Sequence, residues 1–207
     1  FSGAISITGI DAAEGMIKVA QAKVARERLA NIMFQCMPAE QLTFADNSFD
    51  RVLCRFGVML FADPLQGLRE MYRTLKPGGL FALAVWGSPE TMTTLCWAYN
   101  ALKDRLPEDK HPPLVKVTSL GRLGALDAVL QQAGFSDYAV DAHTFHYDFP
   151  SFEAYWDLVE SSDILKAQYD VLAEEQRWAA REEIRHFAAS YIQNGRLVVP
   201  HQYLLAT

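Results

Sequence analysis

The stretch ISITGIDAAEGM, residues 5–16, holds the pattern that decides the fold. Small and β-branched residues lead to Ile10, an acid follows at Asp11, and a helical pattern begins almost at once. We predict a strand over residues 4–10 and a helix over residues 13–30, because the apolar side chains of that helix recur every three to four residues. A strand that leads directly into an amphipathic helix is typical of α/β folds.

The same alternation continues downstream. The apolar stretch NIMFQCM (31–37) predicts a second strand, and Asp63-Pro64 predicts a helix start with an acid at the N-cap and proline in the first turn. KPGG (76–79) ends that helix with a turn, because proline lacks a donor and glycine tolerates turn conformations. LFALAVW (80–86) is apolar at every position, as in a strand covered by helices on both faces.

The second half of the chain is richer in helices. We predict helices over 91–105 and 121–133, a strand over 135–147, helices through 151–193 and a last strand over 196–207. The order of elements indicates an α/β fold with a mostly parallel sheet.

A cofactor in an open α/β sheet lies beyond the carboxyl ends of the strands, beside the glycine-rich turn of the first βα unit. These 207 residues contain no G-x-G-x-x-G pattern, and Gly78-Gly79 follows a predicted helix rather than a strand. We therefore expect that the first βα unit of the domain lies upstream of Phe1 and is missing from this sequence.

Composition narrows the function classes. The chain carries 19 basic and 25 acidic residues, a net charge of −6, which argues against a nucleic-acid partner. Its three cysteines, Cys36, Cys54 and Cys96, form no CxxC pair, so we expect free thiols in the cytoplasm. No apolar run reaches the length of a membrane span, so we expect no membrane insertion. The chain begins with Phe1 rather than Met.

Asp11 allows two interpretations. With Glu14 it has the spacing of a capping box, in which both side chains bind the first backbone donors of a helix. A carboxylate at the tip of a strand can also accept hydrogen bonds from the hydroxyls of a ribose. The two roles do not exclude each other.

Two longer stretches resemble one superfamily. ITGIDAAEGMIKVAQ (7–21) is similar to the second-strand motif of class I S-adenosylmethionine-dependent methyltransferases. Residues 38–86, which include MYRTLKPGG (71–79), resemble the branch of ubiquinone/menaquinone C-methyltransferases. The resemblance implies a Rossmann-like fold with an antiparallel last strand and helices on both faces. It also implies S-adenosyl-L-methionine as cofactor and methyl transfer to a small, aromatic or lipophilic acceptor.

The resemblance places eight residues at the cofactor: Asp11, Ala12, Met16, Pro38, Ala39, Glu40, Cys54 and Arg55. Asp11 matches the residue that binds the ribose hydroxyls, and Ala12 and Met16 match residues that border the adenosine. Pro38 departs from the family's G-D-A-E pattern, where an aspartate binds the adenine amino group. Proline has neither a carboxylate nor a backbone N–H, so the adenine contact falls to backbone atoms near Ala39 or to another side chain.

Further residues have competing interpretations. Phe56, Trp86 and Trp156 are expected to face the substrate, although aromatic clusters more often belong to a core. We interpret Cys54 as a packing residue rather than a catalytic nucleophile, because Leu53 precedes it where pyrimidine methyltransferases have a proline. Arg55 is expected to meet a ligand or to pair with an acid on a neighbouring helix.

The histidines suggest no metal site. His143 and His146 are three apart on a predicted strand and therefore point to opposite faces. Any histidine within reach of the acceptor could act as a general base, and none is singled out, so the catalytic residue stays unassigned.

We expect one methyltransferase-like domain, formed by residues 1–147 and 197–207. Residues 148–196 are expected to form a helical insert that caps the methyl-transfer site, or else a structural subdomain or a homodimer face. A binding or regulatory protein without turnover is the second hypothesis, motivated by Pro38. A nicotinamide-dependent oxidoreductase is the third, and it predicts an all-parallel sheet.

Overall fold

The computed structural model describes residues 6–161 and 163–207. These residues divide into two compact units. The first unit is formed by Phe1–Leu53, Phe61–Phe81 and Val129–Asp137, and the second by Cys54–Leu60, Ala82–Ala128 and Tyr138–Thr207.

The first unit opens with a parallel βαβ arrangement. Strands β1 (Ile7–Asp11) and β2 (Ile32–Cys36) are parallel neighbours, with Asp11 opposite Cys36, and helix α1 (Glu14–Glu27) connects them. The predicted order of strand, helix and strand is confirmed, although the helix is shorter than predicted. Residues 4 and 5 of the predicted first strand lie outside the described residues.

The predicted helix start at Asp63 is confirmed. Helix α2 (Pro64–Thr74) has Asp63 as its N-cap, and the Asp63 carboxylate accepts a hydrogen bond of 3.0 Å from the backbone N–H of Gln66. Leu68 and Met71, spaced three apart, are buried on one face of α2. The helix is therefore fixed by its cap at one end and by its apolar face along its length.

The segment 76–79 differs from its prediction. Helix α2 ends before it, as expected, but the segment belongs to strand β4 (Leu75–Trp86) rather than to a turn. Lys76 binds Asp50 of strand β3 (Phe49–Arg55) at 2.8 Å, so contacts to the neighbouring strand extend into the KPGG stretch. Tertiary pairing has overridden the local turn tendency of proline and glycine here.

The described residues of the larger sheet form five strands. The order is β3-β4-β7-β5, with the short strand β6 (Ile192–Gln193) beside β7. Strand β7 (Arg196–Ala206) is antiparallel to both β4 and β5 (Val140–Phe149). The antiparallel last strand is confirmed, and it argues against the all-parallel sheet that an oxidoreductase predicts.

Helices make up much of the second half, as the sequence predicts. They are α3 (Thr93–Leu102), α4 (Leu114–Val117), α5 (Ala125–Ala133), α6 (Phe152–Ser161), α7 (Asp163–Asp170) and α8 (Glu174–Ala189). Helix α4 lies outside the predicted helices. Within the described residues, none of the helices is both long and apolar enough to cross a membrane.

The second unit has one extended apolar core. It joins Trp97 of α3, residues of α6, α7 and α8, and the β7 residues Leu197 and Val199. The helices of residues 148–196 thus share their core with α3 and with the last strand.

Candidate functional site

Asp11 ends strand β1 and lies at the turn that leads into α1. Its Oδ1 accepts a hydrogen bond of 2.8 Å from the backbone N–H of Ala13, an Asx-type turn. In the described part of the chain, no donor is recorded on Oδ2. The carboxylate therefore has one oxygen held by the backbone and one available to a ligand.

The capping-box interpretation of Asp11 is wrong. Strand β1 continues through Asp11, so the N-cap of α1 is Ala13, which forms no side-chain cap. Glu14 instead pairs with Lys18 at 2.9 Å, one turn further along the helix. Glu14 consequently gives Asp11 no reciprocal cap.

The end of β2 lies beside Asp11. Cys36 is directly opposite Asp11, its thiol lies 3.6 Å from the carbonyl oxygen of Ala12, and the N–H of Met37 donates to the Asp11 carbonyl at 3.1 Å. Pro38 follows on the surface. The carboxyl ends of two parallel strands thus meet at one edge, where α/β folds bind their ligands.

The remaining predicted cofactor residues of the first unit differ in exposure. Ala12 and Met16 are exposed, Met16 to 58%, and Ala39 is half-buried. Glu40 already has protein partners: its carboxylate accepts from the N–H groups of Ala62 and Asp63 at 2.8 and 3.3 Å. Glu40 therefore holds the segment that enters α2, a positioning role that its spacing does not reveal.

Cys54 and Arg55 end strand β3 in the second unit. Burial raises the pKa of the Cys54 thiol, which keeps it protonated and favours packing over nucleophilic chemistry. Arg55 is exposed, and its guanidinium lies 5.6 Å from the ring centroid of Phe56. No carboxylate is recorded as an ion-pair partner of Arg55 among the described residues, so the expected salt bridge to a helix is not found.

An aromatic row crosses the sheet of the second unit. Trp86 of β4 pairs with Tyr203 of β7, and Tyr203 pairs with His143 of β5, so the three side chains share one face. Phe56 stacks on Trp86 at 3.9 Å, and His143 stacks on Tyr203 at 5.1 Å. We call Phe56, Trp86, Tyr203 and His143 the aromatic row.

The aromatic row is a partly open surface. Phe56, Trp86 and Tyr203 are half-buried, and His143 is exposed. Phe145 lies beside the row, 6.2 Å from Trp86. A flat ring can be held on such a surface by offset or edge-to-face contacts.

The row contains two residues that the sequence analysis did not place at the site. Tyr203 was missed, and His143 was named only among the histidines. Aromatic residues alternate along β5 at positions 143, 145, 147 and 149, and this period of two is the signal that could have found the face. Joining it to Trp86, however, requires the pairing of β5 and β4 with β7.

Trp156 lies in the helical core of the second unit and not on the aromatic row. It is 6% exposed, stacks on Phe152, and its Nε1 donates to Glu160 at 2.8 Å. Of the three predicted substrate residues, Phe56 and Trp86 lie together and Trp156 lies apart from them.

His201 is buried on the same face of the sheet as Tyr203, opposite Phe145, and it contacts α3. Its Nε2 accepts a hydrogen bond of 3.3 Å from the backbone N–H of Thr94 and lies 2.9 Å from the Thr94 hydroxyl. Burial lowers its pKa to about 4, so the ring is neutral at pH 7. The described residues contain no cluster of His, Cys, Asp or Glu that could hold a metal ion.

Comparison with known proteins finds similar sequences for the first part of the chain and similar folds for nearly the whole chain. A family model described as "Methyltransferase domain" matches residues 2–83. The ubiquinone/menaquinone biosynthesis C-methyltransferase UbiE of Geotalea daltonii is 43% identical over 86 residues, which are 41% of this chain and 37% of that protein. The chain thus spans little more than a third of the length of that relative.

Two solved structures share the fold over nearly the whole chain. The YcgJ protein of Bacillus subtilis has a TM-score of 0.61 at 21% identity, over 98% of this chain and 81% of that one. A phosphoethanolamine N-methyltransferase of Haemonchus contortus, solved with phosphomonomethylethanolamine and S-adenosylhomocysteine, has a TM-score of 0.55 at 20% identity, over 96% and 42% of the two chains.

The Rossmann-like fold, with an antiparallel last strand and helices around a mixed sheet, is therefore confirmed. The predicted resemblance is confirmed: residues 2–83 match a family model described as a methyltransferase domain. Within that class, this stretch resembles the ubiquinone/menaquinone C-methyltransferases.

Proposed function

We propose that this protein transfers the methyl group of S-adenosyl-L-methionine to a small planar aromatic acceptor related to quinols. The observation that carries the proposal is the Asp11 carboxylate, which ends a parallel strand with one oxygen available, inside the matched methyltransferase domain. Fold alone does not define an activity, so the proposal depends on this site.

The residues of the first unit fit an adenosine. Asp11 Oδ2 can accept from the ribose hydroxyls, and the exposed side chains of Ala12 and Met16 can border the nucleoside. Pro38 offers no donor to the adenine, so backbone atoms near Ala39 take that role. Glu40 contributes by holding its loop, since its carboxylate binds backbone N–H groups.

The aromatic row supports a ring-shaped acceptor. Stacking on Phe56 and Trp86 fixes the plane of a bound ring, and the half-buried surface limits access of water. The named function of the Geotalea relative, quinone biosynthesis, points to the same class of acceptor.

Bound S-adenosyl-L-methionine supplies a methyl group on a positively charged sulfur, and its transfer leaves a neutral thioether. A C–H or O–H acceptor that took up this methyl group would have to lose a proton to a base of the protein. His143 is the exposed base of the aromatic row, and we assign it as the proton acceptor. Arg55 beside Phe56 can hold an oxygen of the acceptor.

We propose that residues 148–196 form a cap of this site, since α6, α7 and α8 share a core with α3 and β7 of the unit that carries the aromatic row. A homodimer formed through α6–α8 would favour the alternative of an oligomer face. The three unpaired thiols support a cytoplasmic location.

The acceptor assignment is tested by steady-state kinetics with a short-chain 1,4-naphthoquinol and, separately, phosphoethanolamine. We expect methylation of the naphthoquinol only, and a rise of about tenfold in its KM in Trp86→Leu from lost stacking and burial. Tyr72→Leu is the control, because Tyr72 is 49% exposed on α2, outside both the aromatic row and the proposed cap. His143→Asn should lower kcat more than it raises KM.

Equal KM values in Trp86→Leu and Tyr72→Leu would remove the row from the acceptor site. Cofactor binding without turnover of either acceptor would favour the second hypothesis, a binding protein of methyltransferase fold.

A further inference from the structure

Four buried polar atoms in the helical part of the second unit have no partner among the described residues. They are the hydroxyl oxygens of Tyr155 and Tyr169, Oε1 of Gln168 and Nε of Arg181, carried by α6, α7 and α8. Tyr155 and Tyr169 are only 3% and 5% exposed. Buried polar groups in folded proteins are nearly always hydrogen-bonded. A cluster of buried polar atoms without hydrogen-bond partners therefore indicates that a bound molecule supplies them.

Three of these residues are linked through aromatic contacts around Trp156. Tyr169 meets the Trp156 ring edge-on at 5.2 Å, and the guanidinium of Arg181 lies 5.3 Å from its centroid. Phe152 stacks on Trp156 at 6.1 Å and is 5.9 Å from Tyr155. The two tyrosines are also within electrostatic reach: burial, and then proximity to Tyr155, raises the pKa of Tyr169.

The polar groups of this cluster favour a partner that carries oxygen, because Nε of Arg181 can donate a hydrogen bond. The nearby Arg105 is already neutralised by Glu183 at 2.8 Å, so that ion pair offers no surplus charge to an ion. The two phenol hydroxyls can both donate and accept, and the surrounding side chains are aromatic rings. The complement of such a site is a flat ring that carries oxygen.

We propose that Tyr155 and Tyr169 form a binding site for a small phenol- or quinone-like ring, packed against Trp156 inside the helical core. The site uses neither Asp11 nor the aromatic row, so it is separate from the proposed methyl-transfer site. It also gives Trp156, predicted as a substrate residue, a role in ligand binding at a different location.

The test is calorimetric titration of the full chain with 4-methylphenol and with toluene, which differ by the hydroxyl group. We expect 4-methylphenol to bind at least tenfold more tightly than toluene, because only the phenol satisfies the orphan hydroxyls. Tyr155→Phe and Tyr169→Phe should each weaken 4-methylphenol binding at least fivefold.

Thermal unfolding without the probe separates ligand binding from structure. We expect both phenylalanine variants to unfold at the same temperature as the wild type or higher, because each removes a buried hydroxyl without a partner. Tyr191→Phe is the matched control on the same core, and it should change neither quantity.

Three results would overturn the proposal. They are equal affinity for the two probes, no binding of either, or phenylalanine variants that melt earlier and bind the phenol as the wild type does. The last would show that the hydroxyls have internal partners and serve the fold alone.

Discussion

Asp11 is a strand-end carboxylate whose two oxygens have different roles. Oδ1 accepts the N–H of Ala13 and fixes the side chain at the start of α1, while Oδ2 has no recorded donor in the described part of the chain. A carboxylate fixed in this way needs little further ordering to meet a diol, which favours binding. In our proposal Asp11 binds the ribose because it lies at the carboxyl end of β1.

Replacing Asp11 tests that role. Asp11→Ala removes charge-assisted hydrogen bonds to the ribose, and we expect the affinity for S-adenosyl-L-methionine to fall about 10- to 100-fold by isothermal titration. Glu14→Gln is the control, because the exposed Glu14 pairs only with Lys18 among the recorded ion pairs. Equal losses of affinity in both variants would mean that Asp11 acts only through its negative charge and not through hydrogen bonds to the ribose.

At the scale of elements, Arg73 ties α2 to the loop before β3. Its guanidinium donates to Glu70, to Asp46 and to the carbonyls of Phe44 and Leu42, at 2.7 to 3.0 Å. The hydrogen bond from Arg73 lowers the pKa of Glu70, as expected for a close ion pair.

Loss of this arginine should destabilise the fold. Arg73→Met removes a donor from Asp46 and from two backbone carbonyls, and it leaves the backbone N–H of Leu42 as the remaining recorded donor to Glu70. We expect Tm to fall by about 4–8 °C. Arg69→Met, on the exposed side of the same helix, should change Tm by less than about 1 °C. Similar shifts in the two variants would contradict the assigned role.

His201 makes the attachment of α3 to β7 sensitive to acid. Its folded pKa of about 4 is below the ordinary 6.5, so the unfolded chain binds more protons between these values. The contribution of the neutral His201 ring to the free energy of unfolding is complete above pH 6.5. It is lost as the pH falls towards 4, and the loss reaches about 3 kcal/mol. We expect denaturant unfolding to show this loss in the wild type and less of it in His201→Gln, with His186→Gln as control. If His201→Gln left the slope of the free energy of unfolding against pH unchanged, the role assigned to His201 would be wrong.

Local patterns were sufficient for most elements and insufficient for the site. The strand–helix alternation, the cap at Asp63 and the last strand are encoded in neighbouring residues and could be predicted. The start of β4 within KPGG could not be predicted from neighbouring residues, because Lys76 binds Asp50 of another strand. The aromatic row depends on the pairing of three strands far apart in sequence, and the occupied carboxylate of Glu40 depends on the loop before α2.

For the whole molecule, the two units carry different parts of the proposed chemistry. The first presents Asp11 and the strand ends that fit an adenosine, and the second presents the aromatic row that fits a flat acceptor. In the proposed reaction the donor and the acceptor must be bound at the same time, because one bond forms as the other breaks.

The measurement that tests this account most directly is mass spectrometry of a naphthoquinol incubated with the full chain and S-adenosyl-L-methionine deuterated in the methyl group. We predict a product that carries the deuterated methyl group. Its amount should be much smaller with Asp11→Ala and the same as with the wild type for Glu14→Gln. An unlabelled acceptor after incubation with a chain that binds the cofactor would contradict methyl transfer to this class of acceptor, and equal labelling by the two variants would contradict the role of Asp11.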